Sequence, residues 1–296
     1  MKVIRADALG LCFGVRDALA AAAEVPAPEG VTIHGELVHN ERVLVQLQQR
    51  GFAMQNERDR GVPATERVLI TAHGISDRER RRLIDAGKTL VDTTCPLVRR
   101  VHQAAQTLAA DGYHVVIIGR PGHVEVQGIV EDLAACTVIA SVDDVETWPH
   151  RRLGLVCQST TPPSLAEAVV AEVRRKNPAA EIRFIDTICH PTRDRQHAVE
   201  QLCRQVDAVV VDGGANSNNT RQLVALCEAR GTRAHHVQSA ADLSPAWFTA
   251  CTTIGLTAGT STLDETIDEV ERWLTSFNAT DDLHDRSYGA AAEALH

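Results

Sequence analysis

Short runs of β-branched residues, each followed by a longer stretch of helical periodicity, recur along the whole chain and restrict what it can fold into. Val31-Thr32-Ile33, Val68-Leu69-Ile70-Thr71, His114-Val115-Val116-Ile117-Ile118, Leu153-Gly154-Leu155-Val156 and Val209-Val210-Val211 read as strands. Pro162 to Lys176 and Thr262 to Phe277 read as helices. Strand runs with no polar alternation are buried on both faces, which predicts parallel sheets covered by helices. The expected fold class is α/β. At 296 residues the chain also exceeds the usual size of a single core, so it should divide into more than one unit.

Charge and composition remove several functions. A formal net charge of -9 offers no basic surface to nucleic acid or to an anionic membrane. The N-terminal Met1 to Asp7 has no apolar signal core, and no stretch reaches the roughly 18 uncharged apolar residues of a membrane span. A cytoplasmic protein with no nucleic-acid or membrane partner is expected. There the eight cysteines stay reduced, as buried thiols or as ligands. None form a C-x-x-C pair, so a metal site must collect its ligands from distant loops.

In open parallel sheets, ligands gather where the βα loops leave the C-terminal strand ends. Those loops carry Ala72-His73-Gly74, Asp92-Thr93-Thr94-Cys95-Pro96, Gly119-Arg120-Pro121-Gly122-His123-Val124-Glu125, Gln158-Ser159-Thr160, Asp186-Thr187-Ile188-Cys189 and Gly213-Gly214-Ala215-Asn216-Ser217-Asn218-Asn219. Cys12 lies between glycines in Gly10-Leu11-Cys12-Phe13-Gly14, which lets the backbone approach a bulky group. Cys12, Cys95 and Cys189 are 83 and 94 residues apart, one to each successive α/β segment. The expected units are residues 13–94, 95–188 and 189–278, the last completed by residues 1–12, with a tail at 279–296.

Three loop thiolates suit a cubane iron-sulfur cluster with one iron left open, and a zinc site of Cys₃ plus His is the competing chemistry. Cys136, Cys157, Cys203, Cys227 and Cys251 fall in strand or helix patterns and are assigned to packing. His39, His73 and His123 with Ser217, Asn219 and Ser261 offer many donors to phosphate oxygens, although Asn216 to Asn219 also reads as a helix cap. Glu125, two residues beyond His123, is the candidate proton donor.

Together these motifs resemble the LytB/IspH family of 4-hydroxy-3-methylbut-2-enyl diphosphate reductases. The resemblance rests on Glu36 to Asn40, Ala72-His73-Gly74, Thr94 to Val98, Gly122 to Val126, Ile188-Cys189 with Arg195-Gln196, Asn216 to Asn219, and Thr257-Ala258-Gly259, in order over about residues 9 to 275. It implies a trefoil of three α/β units around a central 4Fe-4S cluster held by Cys12, Cys95 and Cys189. It also implies reductive dehydroxylation to isopentenyl and dimethylallyl diphosphate, with a ferredoxin or flavodoxin as electron donor. His39, His73, His123, Ser217, Asn218, Asn219 and Ser261 would bind the diphosphate substrate. Glu125, His123 and Ser159 would serve catalysis, Ser159 standing where the family usually has Thr. Leu9-Gly10-Leu11, Val124, Asn218, Thr260 and Leu263 depart from the family pattern. Those departures keep two alternatives open: a paralogue reducing another hydroxylated substrate, and a non-catalytic iron-sulfur or diphosphate sensor.

Overall fold

A computed structural model describes residues 1–57 and 60–276. The expected tail at 279–296 lies outside them. Along the chain run β1 (Lys2–Arg5), α1 (Phe13–Ala23), β2 (Val31–Ile33), α2 (Glu41–Gln49), β3 (Ala53–Met54), β4 (Arg67–Ile70), α3 (Asp77–Asp85), β5 (Thr89–Asp92) and α4 (Pro96–Ala110). There follow β6 (His114–Ile118), α5 (Val124–Val130), β7 (Cys136–Ile139), β8 (Arg152–Cys157), α6 (Pro163–Lys176), β9 (Glu181–Ile185), α7 (His190–Cys203), β10 (Ala208–Asp212), α8 (Asn218–Ala229), β11 (Arg233–Val237), β12 (Thr253–Ala258) and α9 (Asp264–Ser276).

The strands form three four-stranded sheets in which every pairing is parallel. Their orders are β3-β2-β4-β5, β7-β6-β8-β9 and β11-β10-β12-β1. Each has the same plan: the first strand is central, the second lies outside it, and the third and fourth extend the other side. In the last sheet the fourth place is taken by the N-terminal strand, Lys2 pairing with Thr253 and Arg5 with Leu256. The α/β class with three similar units is therefore observed. By compactness the described residues divide in two, those of 12–193 containing the first two sheets and those of 1–11 with 194–276 containing the third.

The sequence pattern explains the layering. β6, β8 and β10 are uninterrupted apolar runs, and their interior residues are fully buried because helices cover both faces. One core of the second sheet packs Val116, Ile118 and Leu155 against Val169 and Val173 of α6; the opposite face packs Val115, Ile117 and Val156 against Val101 and Leu108 of α4. Central glycines set the close approach of a helix in two sheets. A Cβ on Gly154 of β8 would lie 2.9 Å from a Leu108 methyl, and one on Gly255 of β12 would lie 2.8 Å from Leu202 of α7. Among the described residues no helix is long and apolar enough to cross a membrane.

Candidate active site

Strand order, which the sequence pattern does not show, explains why the polar loops fall where they do. In a sheet of this plan a crevice opens where connections leave the first and third strands in opposite directions. His39 follows β2 and His73 follows β4; His123 and Glu125 follow β6 and Ser159 follows β8; Ser217 to Asn219 follow β10 and Ser261 follows β12. All of these are first and third strands. Cys95 follows β5, Cys189 follows β9 and Cys12 follows β1, which are the three fourth strands.

Within residues 12–193 the loops are pinned to one another. The Cys95 amide donates to the Ala72 carbonyl at 3.0 Å, joining the cysteine loop to the His73 loop, and the Cys189 amide donates to the Ser159 carbonyl at 3.0 Å. Cys12 and Cys95 occupy the N-cap positions of α1 and α4, and Cys189 immediately precedes α7. Helix N-termini favour thiolates. Burial nevertheless pushes the Cys95 thiol up, against amides of Leu97 and Val98 that pull it down, and the charges of Cys12 and Glu125 raise it further. Burial likewise pushes Cys189 up to about 11, opposed by Thr192, whose hydroxyl stands 3.1 Å from the sulfur, and reinforced by Glu125 and Cys12. Cys95 and Cys189 thus each lie within electrostatic reach of Cys12 and of Glu125. Sulfur ligation with N–H and O–H donors aimed at the sulfur fits the requirements of an iron-sulfur cluster.

Gly14 makes the approach of α1 possible, because a Cβ there would stand 2.5 Å from Cys95 Sγ and 3.1 Å from Cys95 Cβ. Gly14→Ala is accordingly expected to displace the Cys95 sulfur, lower the iron content of the purified protein and reduce stability by about 1–3 kcal/mol. Iron and sulfide analysis beside a melting curve checks this, and unchanged metal content would remove the steric role.

Glu125 departs from its sequence reading. It lies not in a loop but in the first turn of α5, whose N-cap is His123, and it is buried at 1% exposure. The Ser159 amide donates to its Oε1 at 2.7 Å and the Ser159 hydroxyl to its Oε2 at 2.8 Å. Burial raises this carboxyl to about 7 against the pull of Ser159 and of nearby His39. Its protonation therefore changes near neutral pH. His123 Nδ1 accepts from the Glu125 amide at 3.2 Å, which places the ring proton on Nε2 as a donor.

The three imidazoles converge. His39 and His73 stack with centroids 4.1 Å apart, and His123 stands edge-on to both at 5.3 and 5.7 Å. Burial, then the charges of His39 and His123, hold His73 well below the usual imidazole range. Asn40 N-caps α2 and so fixes the residue before it, His39. Gly74 adopts a left-handed φ of +73° beneath His73, where any Cβ would meet the Thr94 methyl at 2.8 Å.

Ser217, Asn218, Asn219 and Ser261 belong to the other compact unit. Ser217 caps α8 through the Thr220 amide, and Asn218 and Asn219 form that helix's first turn, so the capping reading holds for this segment. Asn219 Oδ1 accepts from the Thr260 amide at 3.1 Å, while its Nδ2 is a buried donor with no hydrogen-bond partner among the described residues. Ser261, next to Thr260 in sequence, is buried in the loop after β12. Of the cysteines assigned to packing, Cys251 differs from its reading, being buried in irregular backbone just before β12. Sequence reasoning passed over Glu36 and Glu57. The first stood inside the quoted His39 motif, and the second lay in a polar stretch without periodicity.

The fold and site define an α/β protein with three helix-capping thiols gathered near a buried carboxyl and a histidine cluster. The chain belongs to the LytB protein family, whose model matches residues 3–275. Relatives named 4-hydroxy-3-methylbut-2-enyl diphosphate reductase include one from Anaeromyxobacter sp., 35% identical and covering 93% of this chain and 97% of its own, and one from Pelobacter propionicus, 36% identical over 91% and 96%. A solved structure of the E-1-hydroxy-2-methyl-but-2-enyl-4-diphosphate reductase from Plasmodium falciparum is similar with a TM-score of 0.84 at 28% identity, covering 93% of this chain and 88% of that one.

Proposed function

We propose that the chain is a reductase that removes the allylic hydroxyl of 4-hydroxy-3-methylbut-2-enyl diphosphate as water, giving isopentenyl and dimethylallyl diphosphate. Cys95 and Cys189, two half-buried thiols that both feel the charges of Cys12 and of a carboxyl titrating near neutrality, carry the reading. Proteins of this family use an iron-sulfur cluster. Cys12, Cys95 and Cys189 would hold it as a 4Fe-4S cluster with one iron free of protein ligands. When bound, the cluster supplies electrons and a Lewis-acid position for a hydroxyl oxygen.

The remaining work falls to side chains. Glu125 delivers a proton to the leaving oxygen, and Ser159, bonded to both of its oxygens, fixes the carboxyl's orientation. Two electrons and two protons enter per hydroxyl lost as water. His39, His73 and His123 supply imidazole nitrogens to diphosphate oxygens. Ser217, Asn218, Asn219 and Ser261 supply further donors; the unpartnered Nδ2 of Asn219 supports this. Burial of the polyanion among imidazoles and amides suits a small molecule and not a nucleic acid. A cytoplasmic location and a soluble one-electron carrier of the ferredoxin or flavodoxin type complete the proposal.

Anaerobically purified, cluster-loaded protein should oxidise reduced methyl viologen on addition of the hydroxylated diphosphate, and product analysis should find the two isoprenoid diphosphates. Binding of the diphosphate without viologen oxidation would make the chain a sensor and overturn the enzymatic reading.

A further inference from the structure

We propose that His39, Glu57 and His73 form a binding site for a divalent transition-metal ion, zinc foremost, with Glu36 orienting His39. One ligand atom from each of the three lies within 4.8 Å of the others. Zinc bonds of about 2.0–2.2 Å in tetrahedral geometry separate donors by about 3.5 Å, so the trio closes on an ion with side-chain movements of about an ångström.

The donors are built for this. Glu57 Oε1 accepts the Glu36 amide at 2.7 Å, but Glu57 Oε2 is buried with no hydrogen-bond partner among the described residues. Arg60 Nη1 stands 4.0 Å from it, beyond hydrogen-bonding distance. His73 Nδ1 is likewise buried and without a partner. His39 Nδ1 is 2.7 Å from Glu36 Oε2, the carboxylate–imidazole pairing that orients the ring of a metal-binding histidine. His34 provides the contrast, since Gln55 and Glu79 engage both of its nitrogens at 2.7 and 3.0 Å and leave nothing for a ligand. Gly35 makes room for the arrangement with a left-handed φ of +111°, where a Cβ would lie 2.7 Å from Glu57 Oε1.

Two imidazoles and one carboxylate, with a fourth position open, select zinc-like ions over magnesium or calcium, which prefer all-oxygen shells. The site goes beyond the proposed reaction and stands on its own geometry. An ion bound here occupies imidazoles proposed for diphosphate, so ion and diphosphate exclude one another.

Calorimetric titration of anaerobic, cluster-loaded protein with zinc chloride should show one saturable ion per chain. X-ray absorption at the zinc edge should show nitrogen and oxygen neighbours at about 2.0–2.1 Å and no sulfur at about 2.3 Å. Glu57→Gln should weaken binding at least about tenfold, and Glu36→Gln, which leaves all three ligands in place, about 10- to 100-fold. Visible absorbance and melting temperature report whether each variant is folded, and a misfolded Glu57→Gln leaves Glu36→Gln and the wild-type edge spectrum to decide. No saturable zinc, sulfur in the zinc shell, or unchanged affinity in both folded variants would overturn the site.

Discussion

Replacing Cys95 by serine leaves a protein that folds but has lost its brown colour, its iron and sulfide, and its viologen-dependent turnover. The loss should be essentially complete for a structural reason. Cys95 lies where α1 and α4 meet, close enough to Gly14 that even a methyl group is excluded, so no neighbouring thiol has room to substitute. Serine preserves the shape and the amide bond to Ala72, but a hard, protonated hydroxyl is a poor ligand for iron in a sulfide cluster. Cys136→Ser, at the start of β7 and assigned to packing, serves as the control and should keep full colour. Metal analysis, absorbance and turnover on both variants check the expectation. A Cys95→Ser protein with wild-type iron content would sink the proposed ligand set.

Glu125→Gln should retain colour and yet turn over about 10²- to 10⁴-fold more slowly, the range associated with a positioned general acid. Glutamine keeps the volume and can keep the bonds to Ser159, so a fall in rate reports proton transfer and not collapse of the site. The pH dependence gives an independent check. Burial raises the folded-state pKa from the ordinary glutamate value of 4.5 to about 7, so the proton-loaded form dominates below about 7 and drains away above it. Wild-type turnover should therefore decline as pH rises through that value, and the Gln variant should lack this limb. Stability runs in the same sense. Because the folded state binds this proton more tightly than the unfolded chain does, the contribution is full below about 4.5 and lost as pH rises through about 7. Melting temperatures of the wild type relative to Glu125→Gln should fall across that window, and parallel curves would remove the buried carboxyl from the explanation.

The sequence made the layer structure legible because runs such as His114 to Ile118 and Val209 to Val211 carry no polar alternation and admit few other folds. Their partners were not legible. Completion of the last unit by residues 1–12 was an expectation of the sequence, but the pairing of β1 with β12 in particular joins residues some 250 apart and has no local pattern. The repetition of one strand order three times was equally hidden, since it leaves no repeated residues to find. Cys12, Cys95 and Cys189 could be singled out because glycine, proline and strand ends surround them. Glu125 was placed in a loop because Gly119 to Gly122 looked like one, whereas the chain turns earlier and His123 already caps a helix. Glu57 could not have been found, because its role arises from a fold that returns it to Gly35 and Glu36 and not from its neighbours in sequence.

The backbone hydrogen bonds that tie the Cys95 segment to Ala72 and the Cys189 segment to Ser159 run from amide N–H to carbonyl oxygen and involve no sulfur. If the proposed cluster is held here, oxygen damage that removes it would leave these two links in place, and refilling with iron and sulfide would need no new backbone contact between these segments.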